Sequence, residues 1–382
     1  MIYFDNSATT KPYDEVLRSF LKVSSEYFGN PSSLHRIGGQ AEKLLHQARK
    51  QIASLLNVKT NEIYFTSGGT ESNNLAIKGA ALKYKNRGNH IITTAVEHAS
   101  VREAVNQLKE FGFRVTFIPV DKNGRASVKD VEEAITDETI LVSMIHVNNE
   151  MGCIQPVEEV GRMLQRYPRI LFHVDHVQGA GKVPLDLHRN NIHLCSLSGH
   201  KFHGLKGTGI LYIKEGIQIL PLFSGGEQER KFRSGTENVA GFVAMAKALR
   251  LTMEKRQQSL ELMSRIKERL MEGLATIDGI VLHTPKTHSA PHIINFSVSG
   301  VKGETFVHAL EERDIYISTT SACSSKKQEP SRTLLAMGVP KEIAANAVRI
   351  SLSYENTIEE AEYFLKTVKE TIKKLKKVVE KK

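Results

Sequence analysis

The sequence predicts an α/β protein with a largely parallel sheet and a second, smaller α+β unit. Three observations carry this reading. Short β-type runs alternate with helical ones up to residue 213, a proline-free helical stretch follows from about residue 239 to 277, and strands with helices on one side resume beyond it. A chain of 382 residues with 40% apolar and 25% charged residues is long enough for two cores of ordinary globular composition.

The elements follow in order. "EIYFT" (62–66) precedes the helical "ESNNLAIKGAALKY", "HIITTA" precedes "ASVREAVNQLKEF", and "RVTFIPV" precedes "VKDVEEAI". "TILVSMIHV", "VEEVGRMLQRY", "RILFHVD" and "IHLCSLSG" continue the alternation, and "GILYI" closes it. Binding groups are then expected at the carboxyl ends of the strands. After the long helical bridge, "APHIINFSV", "GETFVHALEERD", "IYIST" and "AVRISLS" build the smaller unit. The expected division is residues 13–258 for the large unit, with 1–12 and 259–382 together forming the small one.

Charge excludes less than it first suggests. Of the net charge of +10, the stretch from Lys366 to Lys382 supplies eight lysines against two glutamates, which is six. Leu365, Val368, Ile372, Leu375 and Val379 fall at steps of three and four there, so the reading is a packed terminal helix with a lysine-rich wet face. No direct nucleic-acid contact is expected. No apolar run approaches the roughly 20 residues needed to span a bilayer, and "MIYFDNSATT" lacks the features of a secretory signal. The expectation is a cytoplasmic protein. The three cysteines, Cys153, Cys195 and Cys323, have no close spacing, so neither a disulfide framework nor a metal site is expected. Cys195 reads as a core residue of its strand and Cys153 as structural, whereas Cys323 sits among small hydroxyl residues near Lys326 and Lys327, which is no core environment.

Three motifs carry chemistry. "SLSGHKFHGLKGTG" places Lys201 on a glycine-bounded loop after an apolar strand, flanked by Ser198 and His200. A lysine so placed can hold an aldehyde cofactor as a Schiff base. In "LFHVDHVQG", Asp175 ends a strand and Gln178 lies three positions on. A pyridinium nitrogen needs such a carboxylate to stay protonated, and Gln178 is placed to hydrogen-bond a phenolic oxygen. In "FTSGGTESNN", a glycine turn with Gly69 and Thr70 opens a helix, where free N–H groups and the helix dipole favour a phosphate.

With "FDNSATT", "FGNPSSLH", "EHASV", "HVNNEMG", "RSGTENV", "SACSS" and "AVRISLS" added in order, the chain resembles the NifS/IscS-type cysteine desulfurases from residue 2 to about 355. These are fold-type I pyridoxal phosphate enzymes of the class V aminotransferase kind, with a seven-stranded-type sheet in the large domain. The resemblance implies that Lys201 binds the cofactor aldehyde, Asp175 pairs with the ring nitrogen, and Gln178 and Asn149 bond its phenolic oxygen. Thr70, Gly69, Ser198 and His200 are implied phosphate contacts, completed by Thr236 from a partner subunit in a homodimer. His98 is implied to stack on the ring and move protons, and Arg349, with Asn30, to bind substrate. Cys323 is implied to take the sulfur of L-cysteine as a persulfide, releasing L-alanine, and to pass it to an iron–sulfur scaffold or a tRNA-thiolating enzyme. A selenocysteine lyase or another aminotransferase on the same fold is the alternative. The chain departs from the family's common pattern at His176 and Val177, in the "TTSACSS" loop, and in its lysine-rich terminus.

Overall fold

The computed structural model describes residues 1–319 and 330–379. The chain opens with strand β1 (Ile2–Tyr3) and helices α1 (Asp14–Glu26) and α2 (Arg36–Leu55). The alternation then runs β2 (Ile63–Thr66), α3 (Gly69–Lys83), β3 (His90–Thr94), α4 (Ala99–Glu110), β4 (Arg114–Ile118), α5 (Val128–Glu133), β5 (Thr139–Ile145), α6 (Val157–Leu164) and β6 (Leu171–Asp175). Strands β7 (Leu194–Ser198) and β8 (Gly209–Ile213) complete a seven-stranded sheet of order β2-β8-β7-β6-β5-β3-β4. The β7, β6, β5, β3 and β4 strands pair in parallel, while β8 is antiparallel to both β2 and β7. Sequence patterning did not distinguish that one reversed strand, because a buried strand is apolar throughout in either direction.

Both faces of the sheet are covered. Val142, Met144, Cys195 and Leu197 pack with Leu45 and Ile52 of α2 and with the α6 side chains on one face. On the other, Ile91, Leu141 and Leu194 pack with Leu75 and Ile77 of α3 and Val101 and Leu108 of α4. Helix α3 approaches a neighbouring loop so closely that a Cβ on Gly79 would lie 2.8 Å from the Leu220 carbonyl oxygen, which is why glycine is needed there.

Helix α7 (Val239–Ala275) has 37 residues and, at 1.5 Å per residue, is ~55 Å long. Its first half buries Phe242, Met245 and Leu249 in the core of the large sheet. Its second half buries Met263, Ile266 and Leu270 in a separate core with Phe4, Phe296 and Phe306. That second core is built by β9 (Ile280–Leu282), β10 (Ile293–Val298), α8 (Gly303–Glu311), β11 (Ile315–Tyr316), β13 (Ala347–Ser351) and α11 (Ile358–Val379), while β12 (Ser318–Thr319) edges its sheet and the short α9 (Arg332–Ala336) and α10 (Lys341–Ala344) pack in a smaller cluster with Met151 and Cys153. Its sheet has the order β12-β13-β10-β9, and β1 pairs in parallel with β11. The terminal helix packs as its spacing predicts, with Leu365, Val368 and Ile372 buried. Helices α1 and α2 were not singled out in the sequence, where their apolar residues are interrupted by glycine and polar pairs.

Burial favours the neutral form of three histidines of the large unit, His146, His173 and His176. His146 and His176 meet through their Nδ1 atoms at 2.8 Å, and His173 lies between the Ser143 and Ser196 hydroxyls at 2.8 and 3.0 Å. Burial pushes His146 down to about 4 and His173 down to about 3, and drives His176 in the same direction. Each contributes full stability above an unfolded value near ~6.5, and that stability drains as the pH falls toward the folded value, at ~1.4 kcal/mol per pH unit for each ring. Denaturant midpoints at pH 7.5 and pH 5 should therefore differ, with the protein weaker at pH 5. Buried Glu97, pushed up to about 8, shifts the midpoints the other way, so the comparison is made in Glu97→Gln, where equal midpoints would mean that the rings are not buried neutral.

Candidate active site

The carboxyl ends of β6 and β7 place the central residues. Asp175 ends β6 and is 2% exposed. Its Oδ1 accepts the Val177 N–H at 3.0 Å and its Oδ2 accepts from Asn73 Nδ2 at 2.8 Å. Two donors and burial hold this carboxylate in one position at the strand end. Lys201 follows β7 on a short 3-10 turn, and its Nζ donates to the Ala8 carbonyl at 2.8 Å and to the Ser7 carbonyl. Gln178 donates from Nε2 to the same Ser7 carbonyl at 3.0 Å. The amino-terminal "DNSATT" segment thus brings Lys201 and Gln178 to a common oxygen.

His98 caps α4 through Nδ1, which accepts the Ser100 N–H at 3.2 Å and lies 2.7 Å from the Ser100 hydroxyl. That hydroxyl also accepts from Asn73 Nδ2 at 2.8 Å. A chain of hydrogen bonds therefore links Asp175, Asn73, Ser100 and His98. Burial lowers the His98 pKa despite the opposing charge of Asp175. The ring is neutral near pH 7, with its proton assigned to Nε2 because Nδ1 is an acceptor. Next to it, Glu97 is wholly buried and pushed up to about 8 by burial.

Gly68 turns the chain into α3 with φ +154° and ψ −178°, a conformation that is essentially glycine's alone. Ser198 is buried beside this turn: a Cβ on Gly69 would lie 2.8 Å from Val177 Cγ2 and 3.4 Å from Ser198 Cβ. Thr70 stands exposed in the first turn of the helix. His200 faces Thr9, Nδ1 to Oγ1 at 3.2 Å, and burial lowers it to about 4.

Arg349, on β13, is buried and spans the two units. Its NH1 donates to the Asn149 carbonyl at 2.9 Å and its NH2 pairs with Asp5 at 3.0 Å. Burial raises the Asp5 pKa, opposed by Arg349. Among the described residues, Ser7 Oγ, Asn73 Oδ1 and Arg349 Nε are buried without a hydrogen-bond partner. Such atoms, around a fixed carboxylate and a lysine, suit a polar ring carrying an anionic tail.

Two expected residues stand elsewhere. Asn30 is exposed, its side chain accepting from the Ser32 N–H of its own turn at 2.9 Å. Thr236 is exposed on the loop before α7. Asn149 meets Arg349 through its backbone oxygen. Cys323 lies outside the described residues. Cys153 and Cys195 are both buried, and burial pushes Cys153 up to about 12. Sequence reading missed Asn73, Ser100, Asp5 and Lys182, whose Nζ donates to the Lys201 carbonyl at 2.8 Å. A polar residue on the sheet-facing side of α3 was the signal available for Asn73.

Residues 2–364 match the aminotransferase class-V family model. The chain belongs to that family, in its NifS/IscS cysteine desulfurase branch. It is 50% identical over 380 residues to a NifS/IcsS protein homolog of Lactobacillus delbrueckii subsp. bulgaricus, covering 99% of each chain. It is 45% identical to the cysteine desulfurase IscS of Clostridium botulinum, covering 97% of this chain and 94% of that one. A solved NifS-like protein superposes with a TM-score of 0.92 at 40% identity, covering 97% and 99%. The family's cofactor is pyridoxal phosphate, and the Lys201, Asp175 and Gly69 surroundings fit it. Among the described residues no helix is long and apolar enough to cross a membrane.

Proposed function

We propose that this pyridoxal phosphate enzyme, a cysteine desulfurase, uses Lys201, His98 and Cys323 as its catalytic residues and Arg349 to hold the substrate carboxylate. The observation that carries the reading is the meeting of Lys201 and Gln178 at the Ser7 carbonyl, with Asp175 fixed at the adjacent strand end.

When bound, pyridoxal phosphate supplies an electron sink for charge developing at the substrate α-carbon. Asp175 would hold a proton on the ring nitrogen, and Gln178 and Asn149 would bond the phenolic oxygen. Gly69, Thr70, Ser198 and His200 would hold the phosphate. Arg349 offers a planar fork to the two carboxylate oxygens of L-cysteine, with Nε as the buried donor still to be satisfied. Lys201 Nζ accepts and returns the α-proton, and the neutral His98 ring donates from Nε2. The Cys323 thiolate attacks the substrate sulfur, so that an S–S bond forms as the C–S bond breaks. The electron pair of the broken bond stays with carbon, which takes up a proton and leaves as L-alanine. The enzyme is left carrying Cys323 as a persulfide.

We further propose a homodimer in which Thr236 of each subunit completes the other's phosphate site. Its exposure supports this, as do the exposed apolar side chains of Leu21, Phe28 and Leu34. Asn30 would reach substrate only through such a rearranged or shared surface. The sulfur acceptor is proposed to be an iron–sulfur scaffold or a tRNA-thiolating enzyme in the cytoplasm; labelled-sulfur transfer to each separates them. Arg349→Lys should raise KM for L-cysteine roughly tenfold or more with a smaller change in kcat, because one ammonium cannot replace the fork. An unchanged KM would remove Arg349 from the substrate site.

A further inference from the structure

The start of α3, proposed above as the phosphate cradle, carries a negative charge of its own. Glu71 lies in the first turn of that helix, and its side chain is 11% exposed. Burial pushes its carboxyl up, but hydrogen bonds from Arg233 and Ser67 outweigh that and hold it below the usual carboxylate range. Its Oε2 accepts the Ser67 N–H at 2.9 Å, an amide at the mouth of the cradle. An ionised carboxylate there repels a phosphate dianion unless something cancels it.

Arg233 provides the cancelling charge, its Nε meeting Glu71 Oε1 at 2.9 Å with the guanidinium 5.8 Å from the Phe223 ring centre. The arginine is delivered by a fixed loop. Glu229, Arg230 and Lys231 take φ of 45°, 53° and 68°, left-handed conformations that non-glycine residues keep only where the surroundings impose them. Glu229 imposes them here, with both oxygens on Arg49 at 2.6 and 2.7 Å and a further bond from the Phe65 N–H at 2.9 Å. The loop is thereby anchored to β2, the strand that leads into the cradle.

We propose that Arg233 is a positioning residue that neutralises Glu71 and so sets the phosphate affinity of the cradle. The inference rests on the reading that the phosphate of the cofactor sits at the start of α3. In this role Arg233 acts through Glu71, its observed partner.

The test is equilibrium binding of pyridoxal phosphate to the cofactor-stripped full chain, with inorganic phosphate as competitor, for the wild type and four variants. Arg233→Met should bind roughly tenfold or more weakly than wild type, since an uncompensated like charge lies within a helical turn of the anion. Glu71→Gln should bind at least as tightly as wild type. The double variant, Arg233→Met with Glu71→Gln, should return to within about threefold of wild type. An ion pair that merely ties the loop down predicts the opposite for the last two, with Glu71→Gln alone weakened and the double variant no better than Arg233→Met. Either of those results overturns the proposal, and the Glu71→Gln arm decides it even where Arg233→Met fails to fold. Wild-type affinity left unchanged by Thr70→Val and insensitive to inorganic phosphate would instead remove the phosphate from this cradle, and the parent reading with it.

Discussion

Lys201→Ala is expected to lose the visible absorbance of lysine-bound cofactor and to lower the rate of alanine formation on the order of 10³-fold or more. The reason is local. Lys201 Nζ sits at the Ser7 and Ala8 carbonyls, beside a carboxylate held by Asn73 and the Val177 amide, and no other described lysine is placed at those oxygens. Lys182 is the nearest competitor in kind. It is buried, lowered to about 7 by burial, and committed to the Lys201 backbone carbonyl, so it supports the turn and is not a substitute amine. Reduction with borohydride followed by peptide mapping checks the assignment. A reduced cofactor adduct on a peptide other than the one containing Lys201 would refute it.

Cys323→Ser is expected to separate cofactor binding from sulfur transfer. The variant should keep the cofactor absorbance and its spectral response to L-cysteine, while persulfide and alanine fall by at least about two orders of magnitude. A serine hydroxyl is not ionised at neutral pH and cannot accept sulfane sulfur, whereas a thiolate can. The two remaining cysteines do not rescue the step. Cys195 is buried within β7, and Cys153 is buried with its pKa pushed up to about 12, so neither is a thiolate near pH 7. Mass spectrometry of the cysteine-treated wild type should place the added sulfur on the peptide containing Cys323. Sulfur on either other cysteine would contradict the assignment.

The large sheet and helices α3 to α6 were legible because parallel strands buried on both faces are written as short apolar runs separated by amphipathic segments. The reversal of β8 was not, since direction leaves no mark in such a run. At the site, the sequence placed Lys201, Asp175 and Gln178 at or just after strand ends, and the structure brings Lys201 and Gln178 to the Ser7 carbonyl. The groups that hold them were harder to see. Asn73 reaches Asp175 from the buried side of α3, Asp5 reaches Arg349 across more than 340 residues of chain, and Lys182 meets Lys201 through a backbone oxygen. Such pairings depend on tertiary geometry and carry no local spacing. Glu71 illustrates the same point, because its "GTES" context reads as a favourable acidic residue in a first helical turn, and its ion pair with Arg233 is set by tertiary geometry.

The most direct measurement is alanine production from L-cysteine by the purified, cofactor-loaded protein, with a reductant present to clear the persulfide and Cys323→Ala alongside. Alanine from the wild type and little from the variant is the predicted result. Equal alanine from both, or none from a wild type that retains its Lys201-bound cofactor, would contradict the assignment of this chain as a desulfurase acting through Cys323.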